Sequence, residues 1–369
     1  MNPTNTIGSG ESQAIREAIR ARLDDLTKPK GSLGKLEDYA EKLSLIQGLV
    51  PPRIRRKAVF VLAGDHGVTA EGVSLYPKEV TAQMMHNFMA GGAGINVLAR
   101  ACGFDVYAVD AGVDADLPSW PLRGAEGASQ GGQAPGFFSM KAVRGTKNFA
   151  KEAALSQAEL QACFDNGRRL AEFAAAEGYD LVAIGDMGIG NTASAAALLV
   201  AYGFDPDEVI DRGTGISDDM LERKRRVIID AVRVRGPFAE GREGALAIAA
   251  AFAGAELATA AGLMLALKGR GIACMIDGFP ITAAAAIAWK LEPGLSDYCF
   301  AGHQSRVKGH RPALDAMGLD PVVSLDMRLG EGSGAVIGGF IVELGARIAG
   351  EMARFSELAV SAARDEKDY

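Results

Sequence analysis

Glu331 stands in a run of glycines, LGEGSG at residues 329–334, directly before the apolar stretch 335–348. An acidic residue at the start of a helix is favoured by the helix dipole, which is a purely structural explanation. A carboxylate held in a confined pocket can instead act as a general base, with a pKa tuned by burial. The spacing alone favours neither interpretation over the other.

Two further glycine-rich segments each open a predicted helix. They read GIGNT at residues 188–192 and GTGISD at 213–218, and Lys224 lies in the helix after the second. Glycines let the backbone approach an anion, and a helix N-terminus offers free N–H groups. Either segment alone is explained by a tight turn with a helix cap. Two of them together suit one phosphorylated ligand.

The sequence carries no pattern that predicts a metal or a nicotinamide cofactor. His66, His303 and His310 lack the spacing of zinc ligands, so we expect hydrogen-bonded loop histidines. A GxGxxG fingerprint and a GxxxxGK[ST] loop are both missing, which disfavours a nicotinamide-dependent oxidoreductase. The acidic pair Asp218-Asp219 follows its glycine loop instead of preceding it. We therefore predict no metal and no cofactor.

The glycine-rich segments belong to a repeating βα pattern. Short apolar runs alternate with helical stretches, and several runs end in Gly with Asp or His. This pattern predicts an α/β fold with a mostly parallel, Rossmann-like sheet that helices cover on both faces. In such a sheet the ligand lies outside the carboxyl ends of the strands. The predicted strands are 57–62, 104–109, 179–184, 272–276 and 298–301.

The chain is predicted to have three parts. Residues 1–50 form a helical segment that makes a small subdomain with part of the C-terminal helix. Residues 51–332 form the α/β catalytic domain, and 333–369 form the C-terminal helix and tail. Within the α/β part, residues 114–148 are rich in Gly, Pro, Ser and Gln and predict an irregular excursion.

Composition indicates a soluble globular protein of the cytoplasm. The 369 residues are 48% hydrophobic and 23% charged, and the net charge of −7 argues against nucleic-acid binding. Residues 245–267 are long enough to span a membrane, but Glu256 near their middle favours packed core helices. The four cysteines form no CxxC pair, which suggests buried thiols in a reducing compartment. The N-terminus contains no apolar secretory signal.

Five motifs in this order resemble the nicotinate-nucleotide:dimethylbenzimidazole phosphoribosyltransferase family, also called CobT-like. The resemblance extends from about residue 28 to the C-terminal helix. Any one motif would be a weak signal, and their joint occurrence is highly specific. They are KPKGSLGKLE (28–37), AGDHGVTAEGV (63–73), GDMGIGNTASAAA (185–197), DGFPITAAA (277–285) and RLGEGSGA (328–335).

The resemblance implies a reaction. The nitrogen of an aromatic base attacks the anomeric carbon of β-nicotinate mononucleotide, and nicotinate leaves. An α-ribazole 5′-phosphate forms with inversion, for synthesis of the cobamide lower ligand. Glu331 matches the catalytic glutamate of the family, which takes the proton from the attacking base. The resemblance also implies a homodimer.

The resemblance further implies which residues bind the substrates. The residues of the glycine-rich loop within 188–192 match the loop expected at the donor phosphate. Gly215 and Lys224 match a second part of that site. Asp186 stands where the family usually has glutamate, and His303 matches a family segment without an assigned step. The full set is Asp186, Gly188, Gly190, Asn191, Thr192, Gly215, Lys224, Tyr76, Met84, Leu329 and His303.

The predicted acceptor pocket departs from the enteric-type members. Tyr76 and Met84 stand where those proteins have a serine and a glutamine. A ring and a thioether make the pocket more apolar. The acceptor therefore stays open between a benzimidazole, a purine and a phenol. A non-catalytic nucleotide-binding protein is the alternative from another class, and retention of Glu331 argues against it.

Overall fold

The computed structural model describes residues 9–120, 135–213 and 215–358. Residues 121–134 of the predicted excursion, Thr214 of the second glycine segment and the tail 359–369 lie outside the described residues.

Seven strands of the described chain form one sheet, and every neighbouring pair is parallel. The spatial order is β3-β2-β1-β4-β5-β6-β7. The predicted α/β class with a parallel Rossmann-like sheet is thereby confirmed. The strands are β1 (Lys57–Gly64), β2 (Asp105–Gly112), β3 (Gly136–Ser139), β4 (Leu181–Met187), β5 (Ala273–Ile276), β6 (Cys299–Gln304) and β7 (Pro321–Ser324).

The five predicted strands are β1, β2, β4, β5 and β6. The prediction of irregular chain across 114–148 is wrong at Gly136–Ser139, because this segment pairs with β2 as an edge strand. The other edge strand, β7, begins with Pro321, and proline is tolerated at the start of an edge strand. Both missed strands have four residues at an edge of the sheet and are not buried along their length, whereas the equally short β5 is fully buried and forms a continuous apolar run.

Helices separate most of the strands. The helical stretches 78–101 and 244–268 each contain two helices, with breaks at residues 91–93 and 253–254. The helices are α1 (Ser9–Asp25), α2 (Lys35–Gln47), α3 (Glu79–Ala90), α4 (Gly94–Cys102), α5 (Gln157–Ala176), α6 (Asn191–Ala201), α7 (Pro206–Val209), α8 (Asp218–Arg235), α9 (Gly241–Phe252), α10 (Ala255–Leu267), α11 (Phe279–Leu291), α12 (His310–Ala316) and α13 (Ser333–Glu351).

The core consists of two apolar layers, one on each face of the sheet. Side chains alternate along a strand, so Phe60 and Leu62 of β1 face one layer while Val59 and Val61 face the other. The first layer packs under α5, α6, α9, α10 and α11, and the second under α3, α4 and α13. The prediction of helices on both faces is confirmed.

The terminal helices meet in a third, smaller apolar cluster. Ile19 and Leu23 of α1 pack there with Ala40 of α2 and Ala349 near the end of α13. The same α13 also packs against β6 and α4. These contacts thus join α1 and α2 to α13, which also packs against the sheet. The division at residues 50 and 332 stays a prediction.

One helix of the described residues, α13, is long and apolar enough to cross a membrane by length and composition. It has a mean hydropathy of 1.3, and 61% of its most apolar window is buried inside the fold. It therefore has the properties of a core helix. The 245–267 stretch is split between α9 and α10, which are each shorter than a membrane span.

Candidate functional site

The strand order places the switch point of the sheet between β1 and β4, and the crevice expected there lies at the carboxyl edge. The chain order runs in opposite directions from this point, which is where ligands bind in open parallel sheets. The loops after β1, β4, β5 and β6 and the segment 325–332 meet here. A cavity of about 740 Å³ lined by Lys42, Ile272 and Tyr298 lies at the opposite, amino edge, away from these loops.

Glu331 is held in a conformation that side chains rarely adopt. Its φ is 63°, between Gly330 at 85° and Gly332 at 88°. A non-glycine residue in this region costs of order 1 kcal/mol or more and persists only when its surroundings hold it. The Glu331 N–H donates to the Asp186 carbonyl at 3.2 Å, and Ile95 N–H donates to Oε2 of Glu331 at 3.0 Å. One hydrogen bond therefore holds the backbone of Glu331, and a second holds its carboxylate.

The surroundings of Glu331 make its carboxylate more basic. The side chain is buried, with 6% of the residue exposed. Burial is the main cause that raises its pKa, the N–H of Ile95 lowers it, and the charge of Asp277 raises it. A carboxylate whose pKa is raised toward neutrality is better suited to accept a proton at physiological pH.

Asp277, at the end of β5, caps the helix that follows Glu331. Its Oδ2 accepts from Gly332 N–H at 3.0 Å, and its Oδ1 accepts from Gly334 N–H at 2.7 Å and Ala335 N–H at 3.1 Å. These are N–H groups at the start of α13 that the helix itself cannot satisfy. Asp277 is fully buried.

The 188–192 loop joins β4 to the start of α6, as predicted. Asn191 Nδ2 donates to Oδ2 of Asp186 at 2.5 Å. Thr192 Oγ1 accepts from Nζ of Lys224 at 3.0 Å. The loop, the strand-end carboxylate and the lysine predicted from sequence are therefore assembled in one place.

Lys224 is a buried cation beside this loop. Its Nζ also donates to the carbonyl of Asp211 at 3.0 Å, and 1% of the residue is exposed. Burial lowers its pKa to about 8, and the charge of Asp211 opposes this. Gly213 comes close to Thr192, since a Cβ there would lie 3.2 Å from Thr192 Oγ1. A Cβ at Gly215, the residue named from the resemblance, would meet nothing within 4 Å.

Asp186 lies at the crowded centre of the crevice. Burial raises its pKa well above the ordinary value, and the charges of Asp277 and Glu256 add to this. Its Oδ1 has no hydrogen-bond partner among the described residues. The shorter carboxylate is thus tied to Asn191 through one oxygen, and the other is left without a partner.

The three candidate histidines differ from one another. His310 is hydrogen-bonded as expected, since Nδ1 accepts from Ser305 N–H at 2.8 Å and Nε2 lies 2.9 Å from Thr282 Oγ1. Nε2 of His66 lies 2.8 Å from Oε1 of Glu256, and both side chains are buried. Burial lowers the pKa of His66, but the charge of Glu256 outweighs it, and the pKa is raised.

His303 contradicts the expectation of a hydrogen-bonded histidine. It is buried, and within the described residues neither ring nitrogen has a hydrogen-bond partner. Its Nε2 lies 3.7 Å from Oδ1 of Asp277, beyond hydrogen-bond distance. Among the described residues, no group of three or more His, Cys, Asp or Glu side chains is arranged to hold a metal ion.

The predicted acceptor residues Tyr76 and Met84, and Leu329 of the substrate-binding set, lie on two segments. Tyr76 is 52% exposed in the loop before α3, and Leu329 is 58% exposed before Glu331. Met84 is half-buried on α3, one turn after Thr81, whose Oγ1 accepts from Ile189 N–H of the 188–192 loop at 3.2 Å. Residues three apart share a helix face, so α3 links the 188–192 loop to the neighbourhood of Met84.

Several site residues were not predicted. Gly94 and Ile95 lie next to Glu331, Thr81 binds the 188–192 loop, and Glu256 pairs with His66. All four come from helices whose sequences are typical of ordinary apolar segments. The sequence offers one signal for Glu256, a charge inside an alanine-rich stretch, and this signal indicates only that the stretch is not a membrane span.

Fold and site define an α/β protein with a ligand crevice at the switch point of a parallel sheet. A family model described as Phosphoribosyltransferase matches residues 9–360. The nicotinate-nucleotide–dimethylbenzimidazole phosphoribosyltransferase of Thermus thermophilus is 45% identical over 343 residues, 93% of this chain and 97% of that protein. The protein of the same name from Geobacter sulfurreducens is 44% identical over 351 residues, 95% and 94% of the two chains.

A solved structure is similar over the same extent. The crystal structure of CobT from Thermus thermophilus has a TM-score of 0.86 and 44% sequence identity, and the match covers 95% of this chain and all of that one. The chain belongs to the phosphoribosyltransferase family that these proteins represent. The resemblance inferred from the five motifs is confirmed.

Proposed function

We propose that the protein transfers ribose 5-phosphate from nicotinate mononucleotide to 5,6-dimethylbenzimidazole or a similar base. The products are an α-ribazole 5′-phosphate and nicotinate, for cobamide lower-ligand synthesis. The observation that carries the proposal is the buried Glu331 carboxylate, fixed at the switch-point crevice beside a glycine loop. The names of the relatives support the same activity.

In the proposed reaction Glu331 accepts the N–H proton of the acceptor. The other ring nitrogen of the base then forms a bond to the anomeric carbon of the donor. The bond from that carbon to the pyridinium nitrogen breaks, and its electron pair stays on nicotinate. Attack on the face opposite to the leaving group inverts the configuration from β to α.

The donor phosphate is proposed to bind at the start of α6. Gly188, Gly190 and Asn191 offer backbone close to the anion, and the positive end of the helix dipole favours it. The ammonium of Lys224 has three N–H donors, of which Thr192 and Asp211 accept two. The third donor supplies a charge-assisted contact to phosphate.

Tyr76, Met84 and Leu329 are proposed to bind the acceptor. An aromatic ring and a thioether suit a flat apolar base and do not impose one pattern of hydrogen bonds. The same chemistry on a phenol or a purine is therefore the second candidate. A phenol would attack through oxygen, with Glu331 again taking the proton.

The test is an acceptor panel incubated with nicotinate mononucleotide. Products are identified by mass and by anomeric configuration, and the panel includes dimethylbenzimidazole, adenine and a phenol. We expect an α-configured product with at least one acceptor and little product from Glu331→Gln. Donor binding without transfer to any acceptor would favour the non-catalytic alternative. A homodimer in the cytoplasm is also proposed, and light scattering tests the dimer.

A further inference from the structure

We propose that Asp277 is a positioning residue that holds the Glu331 carboxylate in the crevice through the backbone of residues 332–335. The proposed reaction gives Asp277 no chemical step, and the inference rests on the proposed role of Glu331 as the base. Asp277 is fully buried at the end of β5, and its two carboxylate oxygens accept three backbone N–H bonds.

The backbone around Glu331 needs such an anchor. Gly330, Glu331 and Gly332 are consecutive residues with positive φ. Glycine adopts this region without strain, but glutamate does not, so Glu331 would relax if its neighbours were free. The shortest bonds of Asp277 fix Gly332 and Gly334, directly after the strained residue. Asp277 therefore keeps the chain from rotating the carboxylate out of the crevice.

The charge of Asp277 also acts on the base. Burial is the largest cause that raises the pKa of Glu331, the N–H of Ile95 opposes it, and the charge of Asp277 raises it further. The groups that act on Glu331 are Ile95 N–H from α4, the carbonyl and charge of Asp186 from β4, and the charge of Asp277 directly after β5. Nε2 of His303 on β6 lies 3.7 Å from Oδ1 of Asp277.

The first experiment compares Asp277→Asn with the wild type in initial-rate assays with nicotinate mononucleotide and the best acceptor. Asparagine has nearly the same volume and keeps one acceptor oxygen, but it loses the charge and one N–H contact. We expect kcat to fall by about 100-fold, as for a misplaced catalytic group. The donor KM should stay within about threefold, because the 188–192 loop is not touched.

The pH profile of kcat distinguishes a specific effect on Glu331 from an unspecific loss of activity. Loss of a neighbouring negative charge lowers the pKa of Glu331, so the acidic limb of the kcat profile should move to lower pH in Asp277→Asn. An unchanged limb together with an unchanged kcat overturns the proposal. A donor KM that rises as much as kcat falls also overturns it, because the residue would then act on donor binding.

A double variant gives the sharpest discrimination. If Asp277 acts through Glu331, adding Asp277→Asn to Glu331→Gln should lower the residual rate by less than about threefold. A further loss as large as that of Asp277→Asn alone would mean that Asp277 acts independently, which contradicts the proposal.

The crystal structure of Asp277→Asn tests the position of the carboxylate without any activity. We expect Oε2 of Glu331 to leave Ile95 N–H, which it contacts at 3.0 Å in the wild type. An unmoved side chain would refute the positioning role even if no acceptor is ever transferred, so this outcome is distinct from failure of the proposed function. Asp277→Ser, with a smaller side chain, replaces the asparagine variant if that protein does not fold.

Discussion

Replacing Lys224 by methionine removes a buried cation and keeps most of the side-chain volume. In the free protein two of its three ammonium donors are used by Thr192 and Asp211. The third is proposed to reach the donor phosphate. A hydrogen bond to a charged group contributes about 1.5–3 kcal/mol, which corresponds to a rise of about 10- to 150-fold in the donor KM.

The assay is the initial rate of transfer with the donor varied and the acceptor saturating. The acceptor KM should change little, because Lys224 lies on the donor side. Arg226→Met is the matched control, since Arg226 is exposed on the same helix α8 and the variant loses the same charge. We expect the control to keep its donor KM within about twofold, as for an ordinary surface substitution.

The pH dependence gives an independent readout. Burial lowers the pKa of Lys224 to about 8, with Asp211 opposing, so the free enzyme loses this cation as pH rises through about 8. The wild-type kcat/KM for the donor should fall over that range, because kcat/KM reports the free enzyme. This limb should be missing in Lys224→Met. An unchanged donor KM in the variant, with the limb retained, would refute the assignment of Lys224 to the phosphate.

Three further predictions concern the base, the buried ion pair and the absence of a metal. A Cβ on Gly94 would lie 2.8 Å from Leu329 Cδ2 and 3.3 Å from Glu331 Oε2, so Gly94→Ala should lower kcat about 10- to 100-fold in initial-rate assays. Glu256→Gln leaves His66 without its buried charge partner and should lower the free energy of unfolding by about 3 kcal/mol in urea titrations. Burial lowers the pKa of His66, but Glu256 outweighs this and raises the pKa above 6.5. The loss of unfolding free energy should therefore be complete below pH 6.5, and it should shrink as the pH rises through the pKa of His66 in the folded protein. Excess EDTA should leave the transfer rate unchanged, and loss of activity that a divalent ion restores would contradict a metal-free reaction.

The fold was predictable where short apolar runs alternate with helical stretches along the chain. Strands such as Lys57–Gly64 are buried along their whole length and end in a Gly-Asp pair, which marks both their type and their end. The edge strands Gly136–Ser139 and Pro321–Ser324 have four residues each and only one neighbouring strand. Edge pairing of such short segments is decided by tertiary contact, so local pattern could not predict it.

The site was predictable where glycine and charge coincide. Glu331 and the 188–192 loop lie at the crevice, because both follow or border strand ends of the parallel sheet. The cap formed by Asp277 could not be predicted, because its partner Gly332 lies 55 residues away and contacts it through a backbone N–H. Every residue except proline has a backbone N–H, so residue type does not reveal which N–H group Asp277 binds. Only the folded structure shows that these two segments meet.

The account depends most on the carboxylate of Glu331 as proton acceptor. The direct measurement is the single-turnover rate of Glu331→Gln with donor and dimethylbenzimidazole bound, with folding verified by circular dichroism. Because the amide cannot take the proton, we expect the rate to fall by about 100-fold or more while donor affinity is unchanged. A rate within about threefold of the wild type, with the protein folded and the donor bound, would contradict the account.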